Sequence, residues 1–148
     1  MKKTIFTLGL AFFLITAFTA SASACNKGCT PGYWKQDQHE WVWAYSRQAS
    51  FFDTFGSCDE DAKDISLLTA LQTGGGGLAA LRRHAVASLL NADRFSCFDG
   101  GSPTDVIDAY CDHLADAGAI EDQKNLLEGD NDQKCNLGGS GRGNGRDR

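Results

Sequence analysis

The chain is 148 residues long, with 14 Lys and Arg against 19 Asp and Glu, a formal net charge of −5. That length holds one compact domain beside any targeting segment and excludes two ordinary ones. The acidic balance argues against nucleic acid as a partner, because phosphate binding needs a basic surface.

Residues 1–24 read as an export signal. Lys2 and Lys3 form a charged start, Ile5 to Phe18 is an almost unbroken apolar run, and Ala22-Ser23-Ala24 supplies a small-x-small cleavage site. Without Lys2 and Lys3 the balance becomes 12 basic and 19 acidic residues, a net of −7. No second apolar run of spanning length follows, so the expected product is a soluble domain and not an integral membrane protein. Cys25 comes directly after the site. A lipoprotein anchored through Cys25 is the alternative, but a lipobox wants a large aliphatic residue where Ala22 stands.

All six cysteines fall after the signal, at 25, 29, 58, 97, 111 and 135. An even count in an exported chain reads as three disulfides, with 15 possible pairings. A Cys25-x3-Cys29 spacing alone is a weak zinc signal, and no metal or other cofactor is expected.

Cys25 to Gly32 is a turn-rich entry with Pro31 and Gly32 as breakers. Tyr33-Trp34-Lys35 then opens an aromatic stretch of one or two helical turns. All three tryptophans and two of the three tyrosines lie between Tyr33 and Tyr45. Residues 51–64 read as irregular, anchored by Phe51, Phe52 and Phe55 and followed by the acidic cluster Asp59-Glu60-Asp61. Asp64 is the expected cap of a short helix running to about Gln72, broken by Gly74 to Gly77.

A second helix spans Leu78 to about Asn91. Leu78, Leu81, Ala85 and Leu89 form its core stripe, while Ala80, His84, Ala87, Ser88 and Asn91 form a stripe of mostly small residues that lets another element approach. The stem of Arg82 is expected to pack while its charge reaches solvent.

Ser102-Pro103-Thr104-Asp105 is a strong helix start. Val106, Ile107, Tyr110, Cys111, Leu114 and Ala117 share one face, and Gly118 is the expected stop. A last helix is expected over 119–128, with Ile120, Leu126 and Leu127 inward. Residues 138–148 form a Gly/Arg tail without an apolar side chain and should be disordered. The reading is an all-α, disulfide-stapled single domain over 25–137, with four to five short helices.

No catalytic signature stands out, and no catalytic residue is assigned. Gly74, Gly75, Gly76 and Gly77 lead into a helix N-terminus that could meet an anion, but a tight hinge with positive-φ glycines is the preferred reading. His39, His84 and His113 could together hold zinc, yet none sits in an H-E-x-x-H pattern, and a locally satisfied His84 near Asn91 is preferred. Asp105, Asp108, Asp112 and Asp116 repeat at helical spacing as a solvated face. Asp130-Asn131-Asp132 fails as a calcium loop because Lys134 stands where a ligand should. Tyr33, Trp34, Trp41, Trp43 and Tyr45 offer rings for sugars or cations, though core packing competes.

Gly28-Cys29-Thr30-Pro31-Gly32-Tyr33-Trp34-Lys35 resembles the opening of a family of bacterial secreted and surface-attached domains that begin on C-T-P-G-Y/F-W-K. The resemblance extends through Gly74–Gly77 to Arg83-His84-Ala85-Val86-Ala87 and Leu89-Leu90-Asn91. It ends at Lys134-Cys135-Asn136-Leu137, where the family's proline is missing. It covers nearly the whole mature chain apart from Cys58, Cys97 and Cys111, which lie outside the pattern. The resemblance implies export and fold but no chemistry. It singles out Trp34, Lys35, His39, His84 and Asn91. The expected function is an exported, non-catalytic binding or structural module, with an extracellular glycan or surface protein as partner. The alternative is a small secreted hydrolase or metal-dependent enzyme using His84 and His39.

For the cross-links, antiparallel helices around the glycines should bring Cys58 to Cys97. Cys29 and Cys135 should join the ends of the domain, leaving Cys25 for Cys111.

Overall fold

The computed structural model describes residues 26–137; the signal segment, Cys25 and the Gly/Arg tail lie outside them. The described residues form an all-α domain of six α-helices: α1 (Pro31–Trp34), α2 (Phe51–Thr54), α3 (Leu67–Gln72), α4 (Gly77–Arg94), α5 (Pro103–Asp112) and α6 (Ala117–Asn131). Two 3₁₀ turns cover Asp37–Val42 and one covers Glu60–Ala62. Among the described residues no helix is long and apolar enough to cross a membrane.

Helix α4 is the axis, and α6, α5, α3 and α1 all pack on it. Both of its sequence stripes are used. Leu81, Ala85 and Leu89 are fully buried, and Ala80, His84, Ala87, Ser88 and Asn91 are buried as well. The small-residue stripe is where α6 comes close enough for side-chain contact: Ser88 Oγ donates to Asn131 Oδ1 at 3.1 Å, and Asn131 Nδ2 donates to the His84 carbonyl at 3.0 Å.

Several boundaries differ from the sequence reading. Helix α3 is capped by Ser66, whose Oγ accepts from Thr69 N, and not by Asp64. Ser66 is extended and bridged to Ser50, with the Ile65 carbonyl accepting from Phe51 N and the first helical N–H groups, of Leu67 and Leu68, donating to the Ala49 and Arg47 carbonyls, so the helix cannot start earlier. Residues 51–64 are not irregular throughout: Ser50 caps α2 through Asp53 N. Helix α5 starts as expected, with a full capping box between Ser102 and Asp105. It stops at Asp112, well before Gly118, because Asp116 caps the next helix by accepting from Gly118 N and Ala119 N. Helix α6 therefore begins two residues early. Its buried residues are Gln123, Leu127 and Asn131, and Ile120 packs on the core as expected, whereas Leu126 is 64% exposed rather than inward.

The core on the α5 side is aromatic. Phe51 and Phe55 stack at 4.4 Å between centroids, and both meet the Tyr110 ring edge-on. That packing sets a cross-link. Cys58 pairs with Cys111, with Cα atoms 5.7 Å apart, and not with Cys97; both sulfurs sit 3.2 Å from the Phe55 carbonyl. The antiparallel argument fails on length. Six residues of α3 span about 9 Å and eighteen of α4 about 27 Å, so Cys97 is carried well past the level of Cys58. The same bond removes Cys111 as a partner for Cys25. The expected Cys29–Cys135 bond is present, with Cα atoms 4.6 Å apart, and Cys97 is disulfide-bonded too. Such cross-links fit an oxidising compartment.

Arg82 also departs from the sequence reading. Its charge does not reach solvent freely: Nε and Nη2 donate to the two oxygens of buried Asp59, each at 2.7 Å, and the Tyr110 hydroxyl donates to the same carboxylate.

Candidate functional site

The residues of the two long motifs divide between a buried network and a surface groove. The network centres on Asn91, which is fully buried. Its Oδ1 accepts from Trp34 Nε1 at 3.0 Å and from Cys29 N at 2.9 Å. Its Nδ2 donates to the Cys29 carbonyl at 2.9 Å and to Asn131 Oδ1 at 2.7 Å. All four amide valences are thus used inside the protein. Trp34 and Asn91 dock the entry segment on α4 and are fully buried, so their place in the motif is explained by folding. Gly28 belongs to the same junction, since a Cβ there would lie 2.3 Å from the Asp130 carbonyl oxygen.

The groove lies just outside this junction. Thr30, Tyr33, Gln36, Gln38, His39 and the exposed Cys135 line about 510 Å³ of half-open space. Helix α1 and the following 3₁₀ segment form one wall, and the Cys29–Cys135 bond brings the segment around Cys135 to the other. Thr30 caps α1 through Tyr33 N, and the Tyr33 hydroxyl donates to the Leu137 carbonyl at 3.2 Å. His39 is only 5% exposed and stacks on Tyr33, centroids 3.7 Å apart. Burial holds the His39 imidazole below its usual pKa and pushes the Tyr33 hydroxyl up, the latter partly opposed by Arg94. Both rings are therefore neutral near neutral pH.

A second, more open groove of about 530 Å³ adjoins the first and is lined by Lys35, Gln36, Asp37, Gln38 and Gln72. Gln36 and Gln38 line both. Their amides are linked: Gln36 Nε2 donates to the Gly32 carbonyl at 3.0 Å, and Gln38 Nε2 donates to Gln36 Oε1 at 2.9 Å. Arg47 supports this segment from below, donating to Asp37 Oδ1 and to the Lys35 carbonyl, both at 2.9 Å, with its guanidinium over the Trp43 ring.

The remaining sequence candidates fall elsewhere. Trp43 is half-buried, and Trp41 lies in the 3₁₀ turn. With Trp34 in the core, no exposed row includes it. His84 is buried against α6, 9% exposed, with no hydrogen-bond partner at Nδ1, and it lines neither groove. His39 and Lys35 line different grooves of the two, and His84 lines neither. The four glycines at 74–77 are exposed, with open space around each; Gly75 and Gly77 have φ of +100° and +56°, as a hinge requires. Arg83 ties that hinge by donating to the Thr73 and Gly75 carbonyls. His113 Nδ1 bonds to the Ala109 carbonyl at 2.7 Å. Among the described residues no group of His, Cys, Asp or Glu is placed to hold a metal ion.

Sequence reading missed Gln36, Gln38 and Gln72. The available signal was the Gln36-x-Gln38 spacing beside Tyr33 and His39, two amides that flank one exposed turn. No family model, curated protein or solved structure matches this chain.

Proposed function

We propose that the protein is an exported, disulfide-stapled binding module of the cell envelope or extracellular space, with the groove beside Tyr33 and His39 as its ligand surface. What carries the reading is the concentration of pre-positioned polar groups there. Tyr33, Gln36, Gln38 and His39 are each held by a contact within the protein, and each borders open space. A site whose side chains are fixed before binding loses little conformational entropy when a ligand arrives. The volume lies in the range of ordinary ligand pockets. An extracellular glycan or a surface protein is the partner class.

The test is amide chemical-shift mapping of the mature protein against saccharides, short peptides and divalent metal salts. Perturbations clustered on residues 30–39 support the reading. Perturbations centred on His84 and the glycine hinge, or turnover of any probe, would overturn it.

A further inference from the structure

We infer that the two grooves form one cleft for a neutral oligosaccharide, with Gln36 and Gln38 reading the sugar that crosses between them. This rests on the binding-module reading and adds the ligand class. Three observations lead to it.

The first is charge. The Tyr33–His39 groove carries no formal charge, because its only titratable rings are held neutral. In the adjoining groove Lys35 and Asp37 oppose one another in sign, and Arg47, which pairs with Asp37, is matched in turn by Glu40 at 3.5 Å. The linings of the two grooves thus carry no net formal charge to favour a polyanion or a polycation, and Arg94, which acts on Tyr33 from outside the lining, is the cation that the tetragalacturonate comparison tests.

The second is hydrogen-bond chemistry. Glutamine, threonine and neutral histidine each donate and accept. A ring hydroxyl does the same, so vicinal hydroxyls match a surface of this composition. The internal bonds use one N–H of the Gln36 amide and turn the Gln38 amide nitrogen to Gln36 Oε1 and, at 3.5 Å, to His39 Nε2, which leaves Gln38 Oε1 and the second N–H of Gln36 for a ligand. Peptide capture would call for apolar side-chain pockets or a strand edge to extend. The groove has no aliphatic wall, and the described residues hold only isolated β-bridges, at Lys27–Lys134 and Ser50–Ser66.

The third is continuity. Two grooves of similar size share Gln36 and Gln38, so a single sugar fills one side and a chain of several fills both.

The experiment titrates the mature protein with glucose, N-acetylglucosamine and their neutral tetrasaccharides (β-1,4-linked for both, α-1,4-linked for glucose). Tetragalacturonate and an uncharged tetrapeptide are the comparison ligands. The expected result is that at least one neutral tetrasaccharide shifts the Gln36 and Gln38 side-chain amide signals and binds about tenfold or more tightly than its monosaccharide. The double variant Gln36→Ala, Gln38→Ala should weaken that binding by a similar factor without changing the melting temperature, since both side chains are exposed. Equal affinity for monosaccharide and tetrasaccharide overturns the continuous cleft. Preference for tetragalacturonate or the peptide, with shifts still on residues 30–39, overturns the ligand class and leaves the binding module standing. Silence of residues 30–39 toward every probe overturns both.

Discussion

Asn91 and Asn131 meet side chain to side chain in the interior, with Asn91 Nδ2 donating to Asn131 Oδ1 at 2.7 Å between α4 and α6. Through that one contact the entry segment, the central helix and the last helix are joined, because Asn91 also holds Cys29 and Trp34 and Asn131 also holds Ser88 and the His84 carbonyl.

Asn91→Leu should therefore be far more damaging than its volume change implies. It strands the Trp34 indole N–H, both backbone groups of Cys29 and one bond of Asn131. At about 1–3 kcal/mol for each buried polar group left unpaired, the loss should exceed 3 kcal/mol. Trp34→Phe keeps most of the packing and leaves fewer groups stranded, so it should cost less. Urea unfolding of the two variants beside wild type measures both, and equal losses would refute the central role of the asparagine.

Gly28 and Gly74 should behave oppositely when changed to alanine. At Gly28 the new Cβ meets backbone, the Asp130 carbonyl oxygen, and the entry segment must move off α6. Overpacking of that kind costs about 1–3 kcal/mol. At Gly74 nothing lies within 4 Å and φ is not positive, so Gly74→Ala should be neutral or should stabilise by up to about 1 kcal/mol. Thermal melts of the two proteins decide it; a harmless Gly28→Ala would refute the close approach.

The parts of this fold written in local sequence were legible. Ser102-Pro103 with Asp105 marks a helix start because the capping groups lie within four residues. The two stripes of α4 follow from the helical period alone, and the small-residue stripe did announce the close approach of α6. What escaped depends on partners far away in the chain. Asp59 reads as one member of an acidic cluster because nothing nearby reveals that Arg82 and Tyr110 will surround it. Ser66 displaced Asp64 as a cap only because Ala49 and Phe51 hold the intervening backbone extended. The groove is equally long-range, since Tyr33 and Cys135 become neighbours only where the Cys29–Cys135 bond, the Lys27–Lys134 bridge and the Tyr33–Leu137 hydrogen bond join segments more than 100 residues apart.

Arg82→Met tests the Asp59 cluster. It leaves the Asp59 carboxylate, whose side chain is 4% exposed, without its cation, and should cost about 3–5 kcal/mol. Tyr110→Phe removes one bond to a charged acceptor and should cost about 1.5–3 kcal/mol. The double variant Asp59→Leu, Arg82→Met should regain part of the Arg82→Met loss, because an apolar pair carries no desolvation penalty. If the double variant is less stable than Arg82→Met, packing and not the unpaired charge dominates.

Stability should fall in two steps on acidification. Burial holds both His84 and His39 below their ordinary pKa of 6.5; around His84, Glu128 opposes this effect while Arg83 and Lys124 add to it. The unfolded chain takes up these protons first. The histidine contribution is therefore complete above pH 6.5 and is lost as the pH falls through the lowered folded values. Asp59 acts lower down. Its burial raises the pKa, but the bonds from Arg82 and Tyr110 outweigh this and leave it below 3.8, so its contribution is complete above 3.8 and is lost beneath that. Asp130, raised by burial and then by Asp99, works with the opposite sign in the acid range. Urea midpoints at pH 8, 6, 5 and 3 should show the first loss reduced in His84→Gln and in His39→Gln. A wild-type midpoint unchanged between pH 8 and pH 5 would refute the histidine step.

The cross-links give the last prediction. Non-reducing peptide mapping should recover Cys29 with Cys135 and Cys58 with Cys111. Cys97 is also disulfide-bonded, and Cys25 is the one cysteine of the six that this count leaves for it. A peptide joining Cys97 to Cys25 would consume the thiol that a lipid anchor needs, so the mature protein should show no diacylglyceryl mass and should partition into the aqueous phase with detergent. The Cys29–Cys135 and Cys58–Cys111 bonds span 106 and 53 residues. Loop-closure entropy gives about 4.7 and about 4 kcal/mol for such spans, so neither dominates on entropy alone. They differ in what they hold. Loss of the first frees the segment around Cys135 from the groove wall, and loss of the second frees α2 from α5. The double variant Cys29→Ser, Cys135→Ser should thus lose ligand affinity as well as stability. The double variant Cys58→Ser, Cys111→Ser should lose stability alone. Equal loss of affinity in both would mean that the groove depends on the whole core and not on the staple beside it.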